Sequence, residues 1–226
     1  MLNRMNIKTP FLVINLKTYE EAIENYLKIA KTAKEVSDEM NANIYIAPSH
    51  LTLKEVSKII PTFAQSIDSY EPGAHTGSIT AEEVKKSGAA GVLINHSEKR
   101  LPSSDVKNCV EMCRKNGLVS IVCVADEKEA GDYANFNPDF IAIEPPELIG
   151  GKISVSTAKP EVVTNSIKAV KKVAKNVEVI CGAGIKTRDD IKKALQLGVV
   201  GVLVSSGIVK AANARDSIVD AVKGLG

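Results

Sequence analysis

Position 144 is a glutamate that ends the apolar run Phe140-Ile141-Ala142-Ile143 and opens the loop Pro145-Pro146-Glu147-Leu148-Ile149-Gly150-Gly151. A carboxylate at such a junction can take up a proton, and two prolines followed by a glycine pair describe a stiff departure and a flexible return, the make-up of a lid. A solvated strand-end glutamate, or one paired to a lysine, would read the same in isolation. A second cluster, Asn95-His96-Ser97-Glu98-Lys99-Arg100, directly follows Val92-Leu93-Ile94. Read as the start of a short helix, it places His96 at a positive dipole end, which keeps the ring neutral and makes it a hydrogen-bond donor. A structural histidine also fits. Asn15 and Lys17 stand two apart after the apolar run 11–14, so in extended chain they point to one side and offer a neutral donor and a cation. A merely polar strand end has the same pattern. Two late segments, Cys181-Gly182-Ala183-Gly184-Ile185 and Ser205-Ser206-Gly207-Ile208-Val209-Lys210, carry glycines that let peptide N–H groups approach an anion. A helix opening at Ser206 would aim its amides at the same point.

These groups are 190 residues apart in the chain, so regular elements must bring them together. Eight apolar runs read as strands: 11–14, 44–47, 62–65, 92–94, 119–124, 140–143, 177–181 and 200–204. Between most of them lie segments of helical period, such as Ala22, Ile23, Tyr26, Leu27, Ala30 and Ala33, or Val163, Ile167, Val170 and Ala174. Their ends are marked: Thr80 with Glu83 makes a capping box, Pro160 suits a first helical turn, Thr187 can cap, and Gly88, Gly117 and Gly198 fit the position just past a helix. Strands alternating with helices, without a linker or composition break across residues 1–226, predict one α/β domain, either a closed (β/α)8 barrel or an open doubly wound sheet. No G-x-G-x-x-G follows the first run, which favours the barrel, a parallel eight-stranded core inside shortened outer helices. Only fourteen residues, 125–138, separate the fifth and sixth runs. A reduced helix there predicts a thinly covered wall and a partner subunit against it.

Composition excludes several classes. The chain has 226 residues, 44% hydrophobic and 25% charged, with a formal charge of +2, so neither a nucleic-acid nor a membrane surface is indicated. No apolar run approaches the roughly 18 residues of a spanning helix. Residues 1–8 lead into a short apolar run broken by Asn15, which does not read as a secretory signal, and a cytoplasmic location is expected. Cys109, Cys113, Cys123 and Cys181 form no CxxC pair; the first two share a helical face with Val106 and Val110 and predict a buried stripe, free thiols and no metal site.

Taken together, Asn15-Leu16-Lys17, the segment 95–100, Ile143-Glu144-Pro145-Pro146-Glu147-Leu148-Ile149-Gly150 and the two late glycine loops resemble the triosephosphate isomerase family, in the right order over nearly the whole chain. The short length and the Glu-Pro-Pro-Glu-Leu-Ile-Gly lid are most similar to its compact archaeal branch. The resemblance implies a TIM barrel that interconverts dihydroxyacetone phosphate and D-glyceraldehyde 3-phosphate through an enediolate, in glycolysis and gluconeogenesis, without cofactor or metal. It implies that Glu144 is the base, that His96 polarises the carbonyl, and that Lys17 and Asn15 stabilise the enediolate. Leu16, Ile149, Gly184, Ser205 and Ser206 would shape the substrate pocket, Glu98 would pair with Lys17, and Thr76 would reach a neighbour's site in a homotetramer built as a dimer of dimers. Gly150-Gly151-Lys152 stands where many relatives have Gly-Thr-Gly.

Two other readings compete. An aldolase using a lysine Schiff base needs a desolvated lysine of depressed pKa. A phosphate-metabolite binding protein would keep the barrel and the glycine loops without needing Glu144, His96 and a lid together.

Overall fold

The computed structural model describes residues 5–145, 148 and 154–226. Eight parallel strands, β1 Phe11–Asn15, β2 Asn43–Ala47, β3 Phe63–Ala64, β4 Gly91–Ile94, β5 Val119–Val124, β6 Phe140–Ile143, β7 Glu178–Cys181 and β8 Gly201–Val204, alternate with the helices α1 Glu20–Met40, α2 Leu53–Val56, α3 Ala81–Lys86, α4 Ser103–Lys115, α5 Glu127–Ala134, α6 Val155–Ala158, α7 Pro160–Val173, α8 Arg188–Gln196, α9 Ser206–Val209 and α10 Ala214–Lys223. They hydrogen-bond in the order β2-β1-β8-β7-β6-β5-β4-β3, and a parallel bridge between Ile46 and Thr62 brings the two ends of that series together. The predicted barrel is therefore present. The third strand is shorter than its apolar run, because beyond Ala64 the side-chain amide of Gln65 donates to the carbonyls of Lys17 and Ala47, both at 3.0 Å, where a backbone ladder would otherwise continue.

Side chains alternate between two apolar regions, as a pleated strand requires. Phe11, Val13, Tyr45, Phe63, Leu93, Ile121, Phe140, Ile180 and Leu203 fill the barrel lumen. Leu12, Ile14, Ile44, Val92, Val122, Ile141, Val179 and Val202 pack outward under the helices. Edge-to-face contacts of Phe11 with Tyr45 and Phe140 plug the lower lumen. Gly91 belongs to this tight layer: a Cβ there would fall 2.4 Å from the Val119 carbonyl oxygen and 2.5 Å from the Phe63 ring. Gly91→Ala should therefore destabilise the protein by about 3 kcal/mol, the upper range of overpacking, since a backbone oxygen cannot swing aside. A urea midpoint equal to that of the native chain would show that the lumen yields at this layer.

The helical punctuation follows the sequence closely. The helix Ala81–Lys86 (α3) opens on a full capping box between Thr80 and Glu83, and Thr187 caps Arg188–Gln196 (α8) in the same way with Asp190. Pro160 begins Pro160–Val173 (α7), and Gly88, Gly117 and Gly198 take positive φ just beyond their helices. Cys109 and Cys113 are buried on the inner face of Ser103–Lys115 (α4), and all four cysteines are free thiols.

The position of the thin wall differs from expectation. The helix Glu127–Ala134 (α5) is short, but its small residues Ala130, Gly131 and Ala134 let α7 approach, so that a Cβ on Gly131 would touch Ala169 at 3.6 Å. The sparse cover lies instead after β2, where the helix Leu53–Val56 (α2) has four residues and Leu51 is 96% exposed.

Candidate active site

The lumen-facing series of each strand, continued past its last lumen residue, arrives at the mouth of the barrel. From Phe11 and Val13 it reaches Asn15; from Phe63, Gln65; from Leu93, Asn95; from Phe140 and Ala142, Glu144; from Ile180, Gly182; from Leu203, Ser205. Period-2 alternation alone thus places a ring of polar or small groups at the carboxyl ends of six strands. A small cavity opens there, lined by Asn15, Lys17, His96, Glu144, Gly182, Gly184, Lys186, Ser205 and Ser206 among others.

Glu144 lies at its floor. Its N–H donates to the Val124 carbonyl at 2.8 Å, and the N–H of Gly182 donates to the Ile143 carbonyl at 3.1 Å, so the backbone on both sides continues the ladder. The side chain is 4% exposed. Its Oε1 is 3.6 Å from His96 Nε2, while Oε2 is buried with no hydrogen-bond partner among the described residues. Burial alone would raise the carboxyl's pKa; the facing His96 and the thiol of Cys123 outweigh it and hold Glu144 below the usual carboxylate value. Cys123 itself stays protonated, pushed well above the ordinary thiol range by burial and by the neighbouring carboxylate. Gly182 makes the geometry possible: a Cβ there would stand 2.5 Å from Glu144 Oε1 and 2.7 Å from its Cγ.

His96 does not start a helix. Residues 95–100 form a turn in which the Lys99 N–H donates to the His96 carbonyl at 2.7 Å, because Asn95 takes φ 63° and is tied by its own amide to the Cys123 carbonyl and the Leu101 N–H. The helix-dipole argument for a neutral ring therefore falls away. A different contact replaces it, the N–H of Glu98 pointing at His96 Nδ1 at 3.2 Å. Burial opposes a charge on this ring, whereas the facing Glu144 carboxylate favours one and on balance raises its pKa above the ordinary value. The hydrogen bond decides between them, since a ring protonated at Nδ1 would set N–H against N–H. His96 is accordingly the Nε2–H tautomer, its proton directed at Glu144 and the cavity. With three histidines in the chain, ¹⁵N imidazole spectra at pH 7.5 can be assigned by substitution. They should show His96 protonated at Nε2 and bare at Nδ1, and His50, whose pKa burial lowers, fully neutral. An Nδ1–H signal for His96 would contradict the arrangement.

Lys17 crosses the mouth with its Nζ 2.6 Å from Glu98 Oε1. Its backbone has φ 49°, unusual for a residue with a Cβ, and is held there from two sides: its N–H donates to Asn15 Oδ1 at 3.0 Å and its carbonyl accepts from Gln65. Ser205 Oγ donates to the Asn15 carbonyl at 2.7 Å, joining the ends of β8 and β1. Gly184 has φ 70°, and the short helix Ser206–Val209 (α9) begins where the sequence placed it.

Not every candidate reaches the cavity. The Leu16 side chain is 1% exposed and packs outward under the helices, as its parity dictates. Thr76 is on an exposed turn away from the cavity lining. Ile149, Gly150, Gly151 and Lys152 lie outside the described residues. Among the described residues no cluster of three or more metal-ligating side chains occurs, and no helix is long and apolar enough to cross a membrane.

A family model described as triosephosphate isomerase matches residues 10–222. The triosephosphate isomerases of Methanocaldococcus jannaschii and Methanothermus fervidus are 47% and 46% identical to this chain, over 94% and 92% of it and 98% and 96% of their own lengths. That of Methanothermobacter thermautotrophicus is 46% identical over 98% of this chain and 99% of its own. The chain belongs to the triosephosphate isomerase family. It is therefore an enzyme of the isomerase class. Gln65, Cys123 and Lys186 were missed by sequence reasoning as parts of the site, and Gly182, read there only as part of an anion-binding loop, also clears the space that the Glu144 carboxylate occupies. Gln65, Cys123 and Gly182 stand at or near the end of an apolar run on the lumen-facing parity, a signal readable once the register of each strand is known.

Proposed function

We propose that the chain interconverts dihydroxyacetone phosphate and D-glyceraldehyde 3-phosphate through an enediolate. The carboxylate of Glu144 removes a proton from C1 of the ketose; the C–H electron pair becomes the C1–C2 double bond, and the carbonyl π pair moves onto O2. The Nε2–H of His96 and the ammonium of Lys17 stabilise that oxyanion, with Asn15 orienting Lys17 through its backbone. His96 then moves a proton between the two oxygens while Glu144 returns its proton to C2, giving the aldose with no net gain or loss of protons. The substrate phosphate rests against Gly184, Ser205 and Ser206, where the first amides of α9 have no intrahelical acceptor. Leu16 contributes by spacing Asn15 from Lys17, and Ile149 is the further residue assigned to the substrate pocket.

The single observation that carries this reading is a buried carboxylate, one oxygen of which has no partner among the described residues, facing a neutral imidazole N–H at a small cavity beside a cation. Lys17 speaks against the Schiff-base reading, since it is an ion-paired ammonium. We place the reaction in glycolysis and gluconeogenesis in the cytoplasm, in a homotetramer where Thr76 of one copy meets the neighbour's Lys17–Glu98 region. The test is a coupled assay converting glyceraldehyde 3-phosphate to dihydroxyacetone phosphate with no metal added. Turnover sustains the proposal. Tight binding of the triose phosphate without turnover, by folded protein, would replace it with the binding-protein reading.

A further inference from the structure

The charges around the cavity pose a difficulty for a dianionic substrate. Lys17 is already neutralised by Glu98 at 2.6 Å, and Glu144 adds a buried carboxylate, so one cation faces two anions. A phosphate entering this field would be repelled unless another positive charge were present. Lys186 lines the same cavity, next to Gly184 and Ser206.

The fold keeps Lys186 there. Its N–H donates to Asp190 Oδ2 at 3.2 Å, the carboxylate that also completes the α8 cap, so the residue is anchored to a rigid helix start. Its stem lies across Gly207: a Cβ at that glycine would come within 3.0 Å of Lys186 Cα, 3.2 Å of its Cβ and 3.3 Å of its Cγ. The bare backbone after Ser206 thus makes the seat for the lysine. The ammonium of Lys186 forms no ion pair among the described residues, whereas Lys34, Lys86, Lys115, Lys128 and Lys171 all do. Lys210, after the same short helix, is directed over the ring of Tyr19, a residue of the cavity lining, 4.3 Å from its centroid.

We infer that Lys186 is a second cationic contact to the substrate phosphate, a binding and specificity residue that selects dianionic over uncharged substrates. The inference deepens the isomerase reading and rests on it for the identity of the substrate. Its test separates the two. Lys186→Met keeps most of the stem on Gly207 and removes the charge; Lys186→Arg restores a charge; Lys192→Met on the exposed face of α8 serves as the control. Binding of inorganic phosphate, followed by ³¹P NMR titration, needs no turnover. Lys186→Met should weaken it about tenfold and flatten its dependence on ionic strength, with Lys186→Arg recovering most of the loss and Lys192→Met showing none. KM for the triose phosphate should rise by a similar factor with kcat little changed. Unchanged phosphate affinity in Lys186→Met, in protein that isomerises, overturns the inference alone. Equal losses in the Met and Arg variants overturn it too, since they would report disturbed packing. Protein that binds phosphate in a Lys186-dependent way but does not isomerise would overturn the proposed reaction and leave the cationic contact standing.

Discussion

Glu144→Gln should lower kcat by about 10² to 10⁴ while leaving phosphate binding intact, the usual share of a general base. The substitution is close to isosteric, so the Cys123 thiol, the His96 ring and the Gly182 backbone keep their places around it; what disappears is the capacity to take up and return a proton. Glu144→Asp sharpens the test. It retains the carboxylate but withdraws it by one methylene from a cavity whose other members are fixed, and a displacement of about 1 Å is enough to cost roughly 10². Both variants should be compared by steady-state kinetics and by phosphate titration. Near-normal kcat in Glu144→Gln would remove the residue from the chemistry. Near-normal kcat in Glu144→Asp, with the Gln variant inactive, would mean that the site is softer than its ladder hydrogen bonds imply.

The second large effect is at Lys17. Lys17→Met removes the cation that lines the cavity beside His96, and the developing oxyanion loses a donor; the fall in kcat/KM should be at least about 10² to 10³, shared between kcat and KM because the same ammonium also attracts the phosphate. Stability should change by no more than about 1 kcal/mol, since the abandoned partner Glu98 is 55% exposed and water can solvate it. A urea titration alongside the kinetics tells the two apart. A variant that is inactive because it is unfolded would show that the strained backbone at position 17 depends on the ion pair and not, as the hydrogen bonds indicate, on Asn15 and Gln65.

Much of this molecule is legible in its residues, for physical reasons that differ from element to element. The eight strands are legible because both of their faces are buried, which leaves continuous apolar runs such as 119–124, and the helix ends because capping needs side chains with few substitutes, such as Thr80 with Glu83. Glu144, His96 and Lys17 each have an ordinary structural reading when taken singly; what makes them legible as one set is their order along the chain after successive apolar runs, which resembles the triosephosphate isomerase family. What escaped has a common cause. The neutrality of His96 depends on a single peptide N–H from Glu98, set by the left-handed turn at Asn95, and no pattern of residue types announces that turn. Gly182 and Gln65 act through where a missing Cβ or a side-chain amide falls in space. The true place of the thin wall depended on α5 and α7 meeting through alanine and glycine, a matter of helix packing and not of helix length.

The hydrogen bond from Ser205 to the Asn15 carbonyl spans 190 positions of the chain. During synthesis, Asn15, Lys17 and their strand are made first, yet the partner that secures them emerges only after β8 has left the ribosome. A chain that ends before Ser205 lacks this bond. Contact between the last strand and the first is for this reason a condition of the finished mouth, not a decoration of it.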